Sequence, residues 1–234
     1  NQDKLQRLSD QYGMVMANDN IEAVEKSDFV FINVRPQAAG AVIEELSREG
    51  PWENKLVVTL AAGIPMKAYE CLGQNQAIVR ALPNPPSQIG MGIAALAFNP
   101  FVTDEQKADI FEMFGSLGEY VVVGEDHINA VTALSSPAST YLFFESLIEA
   151  GIKAGIDREM SKKIIYQTIT GSMEVLKQRQ VSPQDLLTQA CTPGGISVES
   201  ISILEQHGFK GAVIEAIGKA VLKAGKLGDS VLGE

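Results

Sequence analysis

The arrangement of apolar residues changes near residue 125, from short continuous runs to a helical spacing. The runs are rich in β-branched and aromatic residues and occur at 28–34, 55–63, 76–82, 93–98 and 119–124. Such runs are typical of parallel strands that helices cover on both faces. A shorter apolar stretch, MVMA at 14–17, predicts one more short strand ahead of them.

Amphipathic segments between these runs predict helices. Segment 36–50 opens with a proline at the first helical position and ends at a glycine. Segment 103–118 opens with Thr103 and Gln106 in the spacing of a capping box. A further helix is predicted at 4–13. Because strands and helices alternate in this way, the sequence predicts βαβ units and an α/β layer.

After residue 125 the apolar positions recur at helical spacing, which predicts an all-helical region. Asp157 and Ser182 are expected N-caps, because short polar side chains accept hydrogen bonds from the first helical amides. The last predicted helix, at about 209–228, carries a long apolar face with many small residues, and such a face requires a partner surface. The predicted organisation is an α/β domain at 1–125 and a helical domain at 126–234.

The charge balance excludes several classes of partner. The chain has 19 Lys and Arg against 29 Asp and Glu, a formal net charge of −10. It therefore lacks the basic face that nucleic acids and anionic membrane surfaces require. No apolar run reaches the roughly 18–20 residues of a membrane-spanning helix. Two distant cysteines, Cys71 and Cys191, and two histidines predict no metal site and no disulfide, and we expect a cytoplasmic protein.

The front of the chain lacks the phosphate-binding turn of a dinucleotide-binding domain. Such a domain opens with a strand, a glycine-rich turn and a helix, and no GxGxxG motif is present here. Two explanations stay open: the chain is a fragment, or its front lies outside this sequence. The predicted fold class is a Rossmann-like α/β domain whose first strand and helix are missing, followed by an all-α dimerisation domain.

Six segments together resemble the pyrroline-5-carboxylate reductase family. They occur in the family's order and spacing at 19–37, 57–65, 79–96, 130–138, 150–160 and 191–217. The most specific are TPGG at 192–195, followed by a helix with LEQHGF, and then RALPNPP at 80–86. The resemblance covers essentially the whole chain and implies that Asn1 falls just after the phosphate-binding turn.

The resemblance implies a substrate site at the TPGG turn. The substrate-binding residues would be Thr192, Pro193, Gly194, Gly195 and Ile196. Ser197 would be the catalytic contact, at a position where the family usually has threonine. The turn leads straight into a helix, whose free N–H groups and dipole favour an anion such as the carboxylate of a cyclic imine. The alternative is that TPGG is only a turn with a helix cap.

The same resemblance implies a cofactor site where successive strands end, which is the edge of an open α/β sheet where ligands gather. The adenosine side would be lined by Asn20, Val34, Arg35 and Pro36. The nicotinamide side would be lined by Ala61, Ala62, Gly63 and Asn84. The implied cofactor is NADP, with NAD as the alternative. Ordinary turns between strands and helices are the other interpretation of these segments.

Several departures from the family surround the implied site. Arg35 stands where the family has lysine, and Pro85 replaces a threonine. Thr188 replaces an aspartate, and Ile196 replaces a hydroxyl residue. The family's SGSGPAY segment is two residues shorter here, at 135–138.

The leading hypothesis is an oxidoreductase that transfers a hydride from NADPH or NADH to the C=N bond of 1-pyrroline-5-carboxylate, giving L-proline. Because a protonated imine is already electrophilic, no strong protein acid is required. The resemblance also implies a homodimer, or a higher homo-oligomer, whose helical domains interlock. Two alternatives stay open. One is a related reductase acting on another cyclic imine or a keto acid, and the other is a non-catalytic dimeric paralogue with a regulatory role.

Overall fold

The computed structural model describes residues 2–232 as five strands, ten α-helices and two short 3₁₀ helices. The strands are β1 Phe29–Ile32, β2 Leu56–Thr59, β3 Ala77–Pro83, β4 Gly92–Phe98 and β5 Gly118–Val122. The first five helices are α1 Gln2–Tyr12, α2 Asn20–Glu25, α3 Pro36–Glu49, α4 Asp104–Gly115 and α5 Glu125–Leu134. The remaining helices are α6 Ala138–Lys153, α7 Arg158–Arg179, α8 Pro183–Ala190, α9 Ile196–Gln206 and α10 Phe209–Leu232. The 3₁₀ helices are Met66–Leu72 and Pro85–Ile89.

The five strands form one sheet in the order β1-β2-β3-β4-β5. β1, β2 and β3 are parallel, β4 runs antiparallel to β3, and β5 runs parallel to β4. The apolar runs therefore predicted all five strands, but the implied parallel direction is wrong between β3 and β4, so β4 and β5 run opposite to the first three strands. The physical reason is the short connection 84–91, because a parallel crossover needs a dozen or more residues.

The predicted strand at 14–17 is a second correction. These residues have no regular secondary structure and pair with no strand in the part of the chain that the structure describes. Val15 is 89% exposed. An apolar stretch becomes a strand only where a neighbouring strand supplies the ladder of hydrogen bonds, and nothing in the apolar pattern itself specifies that partner.

Helices cover the sheet on both faces. On one face, β-strand residues such as Val57 and Ile78 pack with Ile43 and Leu46 of α3 and with the first 3₁₀ helix. On the other face, Val58 and other strand residues pack against α4. The continuous apolar runs of β2, β3 and β4 are explained by this double burial.

The predicted helix boundaries are confirmed where capping residues marked them. Thr103 and Gln106 form the full capping box at the start of α4. Asp157 accepts a hydrogen bond from the Met160 amide at 3.0 Å. The Ser182 hydroxyl accepts one from the Asp185 amide at 3.1 Å. Each cap satisfies an amide that has no acceptor within its own helix.

The chain forms two compact units. One contains the residues up to Ser135 together with the stretch that begins at Gly218, and the other is Ser136–Ile217. The first unit holds the sheet. The second consists of helices, in which α6 packs against α7 and Arg158 pairs with Glu145 at 2.7 Å. Within the described residues, no helix is both long and apolar enough to cross a membrane.

Candidate active site

The structure brings three of the predicted cofactor segments to one edge of the sheet. Residues 34–36 follow β1, residues 61–63 follow β2, and Asn84 follows β3. Because these strands are adjacent and parallel, their carboxyl ends lie side by side. The Leu60 amide continues the pairing beyond β2 by donating to the Ile32 carbonyl at 3.2 Å.

The turn Ala61–Gly63 is held closely by its own unit. Gly63 has φ +84°, and a Cβ there would lie 2.5 Å from the Ala224 carbonyl oxygen. A Cβ on Gly228 would lie 2.5 Å from the Gly63 carbonyl oxygen in turn. The late part of α10 therefore packs backbone against backbone on this turn, and only glycine allows that approach at these two positions.

The segment Val34–Pro36 presents a helix N-terminus at the same edge. Arg35 is the N-cap residue of α3, and its side chain makes no capping hydrogen bond. The Arg35 side chain is exposed and forms no ion pair with another described residue. A positive guanidinium beside the open N-terminus of a helix suits an anionic phosphate group.

Asn20 is held differently from the other predicted cofactor residues. It is the first residue of α2, and its side-chain amide donates to both carboxylate oxygens of Glu45 on α3, each at 3.2 Å. Its recorded side-chain contacts, in the described part of the chain, are therefore with a neighbouring helix. The structure places Asn20 beside α3 and does not join it by a contact to the turns after β2 and β3.

Both polar atoms of the Asn84 side-chain amide form hydrogen bonds within the protein. Its Oδ1 accepts from the Ile93 amide at 2.8 Å, and its Nδ2 donates to the Ser135 carbonyl at 3.0 Å. The residue thus ties the loop between β3 and β4 to the end of α5. The next residue is Pro85, which stands where the family usually has threonine. It begins the 3₁₀ helix of this loop and is exposed.

A buried polar cluster near these turns was not predicted. Arg80 on β3 is 2% exposed in its side chain, and its Nη1 donates to Glu125 Oε1 at 3.1 Å. Its Nη2 donates to Asn129 Oδ1 at 3.0 Å. Burial lowers the pKa of Arg80, and the neighbouring Glu125 carboxylate opposes this shift. The RALPNPP motif contains no local signal for the partners of Arg80, which lie 45 and 49 residues further along the chain.

The predicted substrate turn lies in the helical unit. Gly194 has φ +71°, and the Gly195 amide donates to the Thr192 carbonyl at 2.9 Å, so the turn closes on itself. Gly195 is the N-cap residue of α9. In the described part of the chain, the amides of Gly194, Ile196 and Ser197 have no recorded acceptor, and neither has the Ser197 hydroxyl. These free donors at a helix N-terminus can hold a carboxylate.

Together, the layered sheet with its small turns at the carboxyl ends and the separate helical unit place the chain among the dinucleotide-dependent oxidoreductases with a Rossmann-like domain. Two family models match it. Residues 125–227 match the pyrroline-5-carboxylate reductase dimerisation domain. Residues 1–63 match the NADP oxidoreductase, coenzyme F420-dependent, domain.

Curated relatives and solved structures identify the family. Pyrroline-5-carboxylate reductase of Escherichia coli K12 is 34% identical over 97% of this chain and 86% of its own length. The enzyme of Synechocystis is 32% identical over 94% of this chain and 83% of its own length. This chain belongs to the pyrroline-5-carboxylate reductase family.

Two crystal structures agree with this assignment. Plasmodium falciparum pyrroline carboxylate reductase with NADP bound superposes with a TM-score of 0.85 at 32% identity, covering 91% of this chain and 81% of the other. The Streptococcus pyogenes enzyme superposes with a TM-score of 0.88 at 29% identity, covering 96% and 86%.

Proposed function

We propose that this chain reduces the C=N bond of 1-pyrroline-5-carboxylate to give L-proline, with NADPH as hydride donor and NADH as the alternative. The observation that carries the proposal is the match to reductases of this name over almost the whole chain. These relatives favour an enzyme over a non-catalytic paralogue.

The strand-end residues suit the cofactor. We assign the adenosine side to Val34, Arg35 and Pro36, where an unpaired guanidinium and a helix N-terminus favour phosphate. We assign the nicotinamide side to Ala61, Ala62 and Gly63, where small residues let a flat ring lie against the backbone. Asn20 and Asn84 complete the assignment. Since the amide of Asn84 is already bonded, this residue contributes by shaping the loop.

The TPGG turn suits the substrate. The free amides of Gly194, Ile196 and Ser197 would bind its carboxylate, and the Ser197 hydroxyl would contact the ring. Thr192, Pro193 and Gly195 shape the turn. Ile196 is 92% exposed, so we assign its contribution to its backbone amide.

When bound, the reduced nicotinamide supplies a hydride, which carries two electrons to the imine carbon. The nitrogen of a protonated imine already bears its proton, so the carbon–nitrogen double bond becomes a single bond and a secondary amine forms without a protein acid. The residues of this chain would act by holding the ring and its carboxylate at the TPGG turn and the cofactor at the strand-end turns.

The helical region is proposed to serve dimerisation as well as substrate binding. We assign residues 126–234 to this domain and 1–125 to the dinucleotide-binding domain. Residues 126–135 and the stretch from Gly218 nevertheless belong to the compact unit that holds the sheet. The match of 125–227 to the dimerisation model of the family supports this division. Two free cysteines, Cys71 and Cys191, agree with a reducing compartment such as the cytoplasm.

The direct test is NADPH oxidation at 340 nm with 1-pyrroline-5-carboxylate, followed by detection of proline. The assay uses the purified full-length protein. Proline formation that depends on both substrates is the expected result. Binding of NADPH without turnover of this imine would contradict the substrate assignment.

A second candidate keeps the reaction type and changes the substrate. Pro85 and the exposed Ile196 lie in the proposed site segments and differ from the residues usual in the family. A panel of five- and six-membered cyclic imines with and without a carboxylate separates the two. A kcat/KM that is highest for another imine would favour the second candidate.

A further inference from the structure

One carboxylate joins three segments at the proposed cofactor edge. Glu125 Oε1 accepts a hydrogen bond from the Met66 amide at 2.6 Å and another from Arg80 Nη1 at 3.1 Å. Met66 begins the 3₁₀ helix that follows the turn 61–65, Arg80 lies in β3, and Glu125 is the first residue of α5. All three residues belong to the unit that contains the sheet.

Burying the charged side chain of Arg80 costs free energy. The Arg80 side chain is almost fully buried, and its Nε finds no hydrogen-bond partner among the residues that the structure describes. Within the described residues, Glu125 is the carboxylate that pairs with it. Because the Arg80 side chain is buried while that of Glu125 is 36% exposed, desolvation of the guanidinium offsets much of the attraction between them. Stability alone is therefore a weak reason for a buried arginine and its partner at this position.

The position of the pair offers a better reason. The turn Ala61–Gly63 is held at its start by Thr59, whose hydroxyl accepts from the Ala61 amide at 3.3 Å and contacts the Tyr69 hydroxyl at 2.6 Å. Its middle is held by the packing of Gly63 on α10. Its end is held by Glu125 through the Met66 amide. The β2–β3 ladder, which pairs Thr59 with Arg80, already links this turn to β3. The ionic contact adds a side-chain link to the same strand, which Asn84 follows.

We propose that Glu125 is a positioning residue for hydride transfer. By holding the Met66 amide and Arg80 with one oxygen, it sets the position of the turn Ala61–Gly63 relative to β3, and so the position of the nicotinamide. The inference rests on the proposed cofactor site. Glu125 itself touches neither cofactor nor substrate in this account, and it acts through the backbone that it holds.

The test compares Glu125→Gln with Asp126→Asn. Glutamine keeps an acceptor for the Met66 amide and removes the charge that faces Arg80. Asp126 is the adjacent residue, is exposed and pairs with His127, so its substitution makes the same charge change in the same helical turn without touching Arg80. Glu125→Asp, which keeps the charge on a shorter side chain, serves as a second variant.

For Glu125→Gln we expect NADPH affinity, measured by its fluorescence on binding, to fall about tenfold, the scale of losing a charge-assisted hydrogen bond. We expect kcat to fall with it, while KM for the imine stays within about twofold of wild type. Glu125→Asp should give an intermediate loss, and Asp126→Asn should behave as wild type. A purely structural defect would lower the melting temperature and the active fraction but leave the affinity of the folded protein for NADPH unchanged.

Equal NADPH affinity and kcat in Glu125→Gln and Asp126→Asn would overturn the proposal. If Glu125→Gln does not fold, unchanged NADPH affinity in Glu125→Asp overturns it instead. A wild-type protein that binds NADPH but does not reduce the imine would contradict the proposed function. The affinity comparison among the variants would still decide the role of Glu125.

Discussion

Ser197 carries the proposed contact with the substrate ring. Its side chain is half-buried at the start of α9, and its hydroxyl has no recorded partner in the described structure. Ser197→Ala should lower kcat/KM for the imine about five- to tenfold, because a neutral hydrogen bond is typically worth about 1 kcal/mol. Steady-state kinetics at saturating NADPH measure this.

Two further variants make the Ser197 result specific. Ser197→Thr restores the hydroxyl and should recover most of the activity. Ser200→Ala is the matched control, because the Ser200 hydroxyl is already bonded to the Ser197 carbonyl at 3.0 Å. Wild-type kinetics in Ser197→Ala would remove this residue from the site.

The proposed nicotinamide turn depends on Gly63, which has a left-handed conformation and packs closely against α10. Gly63→Ala should destabilise the fold by about 2–5 kcal/mol, combining about 1–2 kcal/mol for a left-handed residue with about 1–3 kcal/mol for overpacking against α10. Thermal and urea unfolding measure the loss. NADPH affinity should fall in the same variant.

Gly155 separates the two contributions at Gly63. It has φ +88°, close to that of Gly63, and a Cβ there would meet nothing within 4 Å. Gly155→Ala should therefore show only the cost of the backbone conformation and leave NADPH binding intact. An equal loss of stability in both variants would argue against the close approach of α10 to the turn.

At the scale of elements, Asn84 connects the loop after β3 to α5. Asn84→Ala removes an acceptor for the Ile93 amide and a donor to the Ser135 carbonyl. The expected cost is about 2–3 kcal/mol in urea unfolding, because two partly buried backbone groups lose their partners. Asn84→Asp keeps the acceptor for the Ile93 amide and should recover about half of the lost free energy of unfolding. A cost below 0.5 kcal/mol, roughly that of an ordinary surface substitution, would contradict the structural role.

The sequence predicts these elements well where the signal is local. The caps at Thr103, Asp157 and Ser182 each involve an amide three residues away, so a short window contains all the information. The direction of β4 cannot be predicted from such a short window, because the apolar pattern of a strand is the same in either orientation. The short connection before it was the available signal, and it argues against a parallel crossover.

The candidate site also has some features that a local motif predicts and others that depend on residues far apart in the sequence. The strand-end turns and the TPGG turn were predicted because each is a contiguous motif. The roles of Arg80 and Asn84 depend on Glu125, Asn129 and Ser135, which lie about fifty residues away. A single arginine within an apolar strand indicates a buried partner but does not say which one. The geometry of such pairs follows only from the tertiary structure.

At the scale of the whole molecule, the helical unit leaves much apolar surface exposed in a single chain. Exposed side chains there include Leu142, Ile164, Ile203 and Ile214. Surfaces of this kind are typical of protein interfaces, and the family model that matches the region is a dimerisation domain. We therefore expect a dimer that persists at micromolar concentration, because apolar interfaces between permanent partners bury large areas.

Sedimentation velocity tests the dimer, and a charge placed on the apolar surface tests its location. Ile214 is an exposed residue of α10, and Ile214→Glu should shift the equilibrium toward monomer, with a lower melting temperature that now depends on protein concentration. Glu215→Gln, a charge change of equal size at the next position, should leave a wild-type dimer. Since the fold of an obligate dimer depends on association, loss of the dimer should also abolish activity. A wild-type chain that sediments as a monomer at micromolar concentration would contradict this prediction and leave the exposed faces of α6, α7, α9 and α10 without a physical explanation.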